Sequence, residues 1–159
     1  MSTLMRRSKP RLSIASALTA GLLAFIWINS AMPGQTSGEL SGFVGKILGA
    51  IFPFLSPDSP SGAFLVRKIA HFSEFAALGM SLAWLLGMFL HTRAAGILLP
   101  FGCGVGAACV DETIQIFSPG RYCSIVDVTI DSAGALTGVL CLIVFHWFLS
   151  KRGKELHFP

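Results

Sequence analysis

The chain has 159 residues, 53% of them hydrophobic and only 13% charged, about half the charged share of an ordinary soluble domain. With a mean hydropathy of +0.69, its apolar residues are too many for a core this small. That excludes a soluble globular enzyme and turns most of them toward lipid. Twelve Lys and Arg against eight Asp and Glu give +4, and a pI near 9.1 would in a soluble chain suggest nucleic acid. Here the basic residues flank apolar stretches, so membrane lipids are the expected partner and nucleic acid is not.

Four stretches are long and apolar enough to cross a hydrocarbon core roughly 30 Å thick, which takes about 20 helical residues. The first runs from about Leu12 to Ala31 and stops at Met32-Pro33-Gly34. The second runs from about Phe64 to Leu90, the third from about Ala94 to Phe117 and the fourth from about Ile125 to Leu149. Only His91, Thr92 and Arg93 separate the second from the third, which predicts an antiparallel hairpin. Arg6, Arg7, Lys9 and Arg11 precede the first span as they would a secretory signal. Its apolar stretch is longer than a signal's, however, and Asn29-Ser30-Ala31 matches a cleavage site poorly. The expected fold is therefore all-α and polytopic: residues 1–11 a basic cytoplasmic N-terminus, 12–150 a single four-helix transmembrane domain, and 151–159 a basic cytoplasmic tail.

Lys and Arg near span ends are retained in the cytoplasm. With the N-terminus inside, Arg6, Arg7, Lys9, Arg11, Arg93, Lys151, Arg152 and Lys154 lie there, while Lys46, Arg67, Lys68 and Arg121 lie outside. That imbalance predicts both termini inside, with the loop from Gln35 to Ser61 and the turn from Ser118 to Ser124 outside.

The outer loop carries Leu40, Phe43, Val44, Ile47, Leu48, Ile51 and Phe52 at the spacing of one helical face, with Glu39, Ser41 and Lys46 off it. This predicts an amphipathic helix over 39–52, either resting on the outer leaflet or packed as a lid on the bundle. Gly42, Gly45 and Gly49 weaken it, and the Pro, Ser and Asp cluster from Pro53 to Ser61 ends it. Gly102 and Gly106, and Gly134 and Gly138, are small-xxx-small pairs expected to let helices approach closely within one bundle, taken to be a monomer. Cys103, Cys109 and Cys141 fall in spans and read as small packing residues, and Cys123 lies outside without an evident partner.

Ionisable groups within a span are costly unless paired or hydrated, so each is a functional candidate. His71 and Glu74 lie in the second span; Asp111, Glu112 and Gln115 in the third; Asp127 and Asp131 in the fourth. Given the orientation, all fall in the outer half. His71 is seven residues in from Phe64, Asp111 six before Phe117 and Asp131 six after Ile125, each about 9 or 10 Å below its outer end. Within each span the groups are three or four residues apart and share a face, which must turn to the bundle interior or a hydrated cleft. Glu74, Asp111, Glu112, Asp127 and Asp131 outnumber Arg67, Lys68 and Arg121, even with His71 added. The surplus acid calls for raised carboxylate pKa values, a protonated His71 or a bound cation.

Blander roles compete for some of these residues. Ser124-Ile-Val-Asp127 fits a capping box opening the fourth helix. Arg121, after Ser118-Pro119-Gly120, can neutralise the acids beneath it, and Lys68 can snorkel to the headgroups. Glu74 and Asp111 are too deep for capping. His91, His146 and His157 lie toward the cytoplasmic side and are given no role. There is no Gly-rich nucleotide loop, GxSxG, HExxH or CxxC, so catalysis is not the favoured expectation.

In order, Lys68-x-x-His71-Phe-x-Glu74-Phe75, Leu78-Gly79, Asp111-Glu112-x-x-Gln115-x-Phe117, Pro119-Gly120-Arg121, Asp127-Val128 and Asp131-x-x-Gly134 resemble the VanZ-like membrane family over about Lys68 to Gly138. Ser30-x-x-Pro33 resembles that family's usual beginning. Phe75 stands where the family often has Tyr, and Asp131 where it often has Asn. The resemblance implies a multi-pass protein of the bacterial cytoplasmic membrane with a role in the envelope. The family is named for a member associated with resistance to the glycopeptide teicoplanin, and it implies no particular reaction.

The expected site is thus an outer-leaflet cleft formed by Lys68, His71, Glu74, Asp111, Glu112, Gln115, Arg121, Asp127 and Asp131, binding an envelope lipid headgroup, a lipid-linked precursor or another polar ligand. Arg121 and Lys68 would meet phosphate or carboxylate, and Glu74, Asp111 and Asp131 a cation or amine. No organic cofactor is expected. An alternative has His71, Glu74, Asp111 and Asp131 hold a divalent metal in an enzyme acting on a lipid-linked phosphate; another makes the cluster a structural lock in a scaffold.

Overall fold

The computed structural model describes residues 2–56 and 58–155, with side chains described except at 2–8, 40, 41 and 152–155. His157, the end of the basic tail, Pro57, and the side chains of Arg6, Arg7, Leu40, Ser41, Arg152 and Lys154 fall outside that description. Five helices follow one another: α1 (Ser2–Ala31), α2 (Gly34–Ile51), α3 (Pro60–Gly87), α4 (Arg93–Ile116) and α5 (Ile125–Glu155), with a 3-10 turn at Pro53–Leu55 between α2 and α3. Four of them are long and apolar enough to cross a membrane: Lys9–Ala31, Pro60–Gly87, Arg93–Ile116 and Ile125–Lys151. The protein is an all-α, multi-pass membrane protein. Phe25, Ile28, Leu98, Phe145 and Phe148 are exposed along these helices, as lipid-facing side chains must be.

The helix ends follow local chemistry. Ser59 Oγ accepts from Gly62 N and Thr92 Oγ1 from Ala95 N, N-caps that satisfy donors otherwise orphaned at a helix start. Pro60 occupies the first turn of α3, where its missing N–H is no loss. Thr92 therefore starts α4 just after the short turn that closes the expected hairpin.

The closest approach in the bundle is between α3 and α5, where glycine removes the side chain. A Cβ at Gly79 would run into Ala135 O, one at Gly134 into Phe72 O and one at Gly138 into Ala76 O. The small pair in the fourth span works as expected. The pair in the third does not: Gly102 and Gly106 have nothing near them and face outward. Gly104, whose Cβ would meet Ala135 at 2.7 Å, and the buried Ala107 and Ala108 take the inward face instead. The helix is rotated so that a neighbouring small-xxx-small pair, Gly104 and Ala108, turns inward in place of Gly102 and Gly106. Cys103, Cys109 and Cys141 are exposed as well, correcting their reading as packing residues.

One apolar core joins α1, α3 and α4, with Ile26, Phe75, Leu78, Leu82, Ala107 and Ala108 buried in it. Phe75 is fully buried there, among neighbours that need no hydroxyl. Nearby, Thr19 and Ser81 hydrogen-bond at 2.6 Å, tying α1 to α3.

The amphipathic helix begins at Gly34, five residues before the expected start, and its glycines do not break it. Phe43, Val44, Ile47 and Ile51 are exposed. Gly49 lies against Ser56, and Gly34 against the backbone of Gly120, so glycine lets the two ends of the helix approach the protein closely. An apolar face turned outward is available to a membrane surface, whereas a lid would have buried it. Gly34 N donates to Pro119 O at 2.9 Å, fastening the start of α2 to the turn between α4 and α5. Gly120 in that turn has φ +74, a left-handed conformation that glycine adopts without the usual Cβ penalty.

Candidate functional site

The polar groups converge at the end of the bundle that carries the α4–α5 turn. On α3, Arg67, Lys68, His71 and Glu74 recur at three- and four-residue steps, so they share the face turned toward α4 and α5. From α4 come Asp111, Glu112 and Gln115; from α5, Asp127 and Asp131; from the turn, Arg121. His71, Asp111, Glu112, Gln115, Arg121, Asp127 and Asp131 are all buried, with Lys68 and Glu74 partly so. The residues expected to line a cleft pack instead into a largely buried polar core, with α3 and α5 in close approach at Gly79 and Gly134.

Gln115 is its hub. Its Nε2 donates to Asp111 Oδ2 at 3.0 Å and to Glu112 Oε1 at 3.1 Å, and its Oε1 accepts from Arg67 Nη2 at 3.3 Å. The two adjacent acids diverge as neighbours on a helix must, about 100° apart. Glu112 turns to the start of α5, where its Oε2 accepts from Ser124 N at 2.6 Å. Asp111 turns to α3 and α5.

The capping-box expectation is half met. Ser124 Oγ accepts from Asp127 N at 3.4 Å, but the reciprocal bond from Ser124 N goes to Glu112 rather than to Asp127. Asp127 is thereby free to pair with Lys68. Lys68 lies with its ammonium 5.0 Å from the Phe64 ring centre, and the ion pair with Asp127 takes the place of its expected escape to the headgroups.

At the centre, His71 Nδ1 is 3.6 Å from Asp131 Oδ1, within ion-pair range but too far for a hydrogen bond. One ligand atom each from His71, Asp111 and Asp131 lie within 4.8 Å of one another. These are three of the four residues expected to be able to hold a metal. The fourth, Glu74, stands aside, its Oε1 accepting from Asn29 Nδ2 at 3.4 Å.

Several buried atoms here have no hydrogen-bond partner among the described residues: His71 Nδ1, Asp111 Oδ1, both oxygens of Asp131, Arg67 Nε, and Arg121 Nε and Nη1. Buried polar groups are nearly always satisfied, because each one left unpaired costs about 1–3 kcal/mol and charged groups cost more. Burial first, and Arg67 next, hold the Arg121 guanidinium below its ordinary range. Two arginines crowded in a desolvated place form a site suited to an anion, whose charge relieves both.

Sequence reasoning missed the contribution of α1. Arg121 Nη2 donates to Asn29 O at 3.1 Å, and Ser118 Oγ to Ser30 O at 2.9 Å. The backbone carbonyls of Asn29 and Ser30 thus hold the turn in place, contacts that no side chain in the sequence signals; only the Asn29 side chain, hydrogen-bonded to Glu74, had a polar residue to mark it. Arg67 had been only counted as charge. No such polar core surrounds the groove of about 1540 Å³ lined by Arg11, Trp84, Arg93 and Trp147, which lies at the other end of the bundle.

A family model described as VanZ/LLP1 matches residues 16–146, a range that takes in every residue of the polar core. No curated protein and no solved structure matches the chain.

Proposed function

The chain belongs to the VanZ/LLP1 family, and from that premise we propose that it binds an anionic headgroup of an envelope lipid or lipid-linked precursor in the polar core. The observation that carries this reading is Arg121: the residue is 6% exposed, and two of its three guanidinium nitrogens have no hydrogen-bond partner among the described residues. A buried guanidinium with unpartnered donors is suited to phosphate or carboxylate oxygens, and Arg67 Nε adds a further buried donor. The acids on the far side would receive a cation or amine, as in a zwitterionic ligand. In this reading the chain sits in the bacterial cytoplasmic membrane with both termini inside, so the core lies at the outer leaflet. The envelope role, including glycopeptide resistance of the teicoplanin type, is part of the proposal.

A purely structural lock is the poorer account, since a lock gains its strength from paired groups and this core leaves many unpaired. An enzyme acting on a lipid-linked phosphate is the second reading, favoured by the three ligand atoms gathered beside the arginines. It would require phosphate release that depends on an added divalent metal.

The test uses full-length protein reconstituted in nanodiscs. Native mass spectrometry should detect retained phosphatidylglycerol in preference to phosphatidylcholine, and Arg121→Ala should remove the preference. In cells, expression should lower teicoplanin susceptibility and Arg121→Ala should cancel the effect. Equal retention of both lipids by the wild-type chain would overturn the reading.

A further inference from the structure

We propose that His71, Asp111 and Asp131 form a binding site for one divalent cation of the zinc or manganese class. The inference gives the polar core a second ligand and rests on reading that core as a binding site, though not on which headgroup it takes. Three separate helices deliver the three residues, and their ligand atoms already lie within 4.8 Å of one another. Metal–nitrogen and metal–oxygen bonds of about 2.0–2.2 Å would draw them to roughly 3.3 Å apart, the edge of a tetrahedron of that size.

The side chains are prepared for this. Asp131 is fully buried, and neither of its oxygens has a hydrogen-bond partner among the described residues. Asp111 has one oxygen fixed by Gln115 and the other left over; a ligand carboxylate held from behind in this way is the usual support for a metal site. His71 Nδ1 is also unpartnered and faces Asp131. The imidazole in the set favours zinc over magnesium or calcium, which prefer oxygen ligands throughout, and the two carboxylates beside it also suit manganese.

Charge points the same way. Lys68 and Asp127 cancel each other, leaving Glu74, Asp111, Glu112 and Asp131 against Arg67 and Arg121. One divalent cation neutralises the remainder. With three protein ligands, a fourth position stays open for water or for an oxygen of the headgroup.

The experiment loads chelator-stripped, full-length protein in detergent with Zn2+ or Mn2+ and measures bound metal and thermal unfolding, with Mg2+ and Ca2+ as comparisons. One equivalent of Zn2+ or Mn2+ should bind and raise the unfolding temperature. Asp131→Asn and His71→Gln should each weaken binding at least tenfold, while Glu39→Gln on α2 should leave it unchanged. Less than a tenth of an equivalent on the wild-type chain, or Asp131→Asn binding like wild type, overturns the proposal. If those variants do not fold, Co2+ on the wild-type chain decides: absorption of a four-coordinate mixed nitrogen and oxygen site supports it, and the spectrum of aqueous Co2+ overturns it. Lipid retention measured on the same samples separates the two claims. Metal without lipid preference removes the headgroup reading alone, and lipid preference without metal removes the cation site alone.

Discussion

Replacing Gly138 by Ala tests whether the α3–α5 approach sets the geometry of the polar core. A Cβ there would stand 2.8 Å from both Ala76 C and Met80 N, and closer still to Ala76 O. All three are backbone atoms, so no side chain can swing away. Ordinary carbon contacts lie at about 3.5–4.0 Å, and the helices must therefore part by roughly 1 Å. Overpacking of this kind costs about 1–3 kcal/mol, and the absence of any flexible neighbour puts Gly138→Ala near the upper end. At about 2–4 °C per kcal/mol for a chain of this size, the unfolding temperature should fall by roughly 5–10 °C. Gly106→Ala on α4 is the control, since nothing lies within 4 Å of its Cβ position and Ala is the better helix former. Thermal unfolding of both variants in one detergent checks the pair. Gly138→Ala as stable as wild type, or Gly106→Ala as damaging as Gly138→Ala, would refute the claimed close approach.

Removing one member of the Lys68 and Asp127 pair strands a buried charge. Lys68→Met should cost about 3–5 kcal/mol, and Lys68→Met with Asp127→Leu should recover much of it, measured as unfolding temperature; equal losses in single and double variants would contradict the pairing. Ser124→Ala removes only the cap on α5 and should cost about 1 kcal/mol, whereas Glu112→Ala leaves Ser124 N without its acceptor and takes one of two acceptors from Gln115 Nε2 and should cost more, a ranking readable in the same unfolding assay. Cys123 lies in the exposed α4–α5 turn. With both termini inside, a membrane-impermeant maleimide should label it in intact cells, while labelling only after permeabilisation would reverse the orientation and move the proposed headgroup site to the inner leaflet.

The expected depths of His71, Asp111 and Asp131 rested on residue counts from the span ends, and the three ligand atoms do gather in one place. Counting works because a helix in a membrane has a fixed rise and few places to end. The Ser124 cap was legible for the same local reason. The partner of Asp127 was not, because Lys68 lies on another helix and Glu112, from a third, displaced Asp127 from Ser124 N. Asn29 and Arg67 escaped notice because a polar residue at a span end has many ordinary uses, and only its neighbours select one.

The sequence by itself determined the four spans, the amphipathic helix, the family resemblance, and which polar residues share a helical face, since periodicity and the hydrocarbon thickness act on each segment alone. Tertiary structure decided how each helix is rotated: Gly104 inward rather than Gly102 and Gly106, and the cysteines of the spans outward. It also decided that most of the polar groups are buried together in a core, that Glu74 turns to Asn29 while His71 turns to Asp131, and that Arg121 keeps free donors. Those outcomes depend on how closely glycine lets α3 and α5 approach and on competition among donors from different helices, which no single segment encodes.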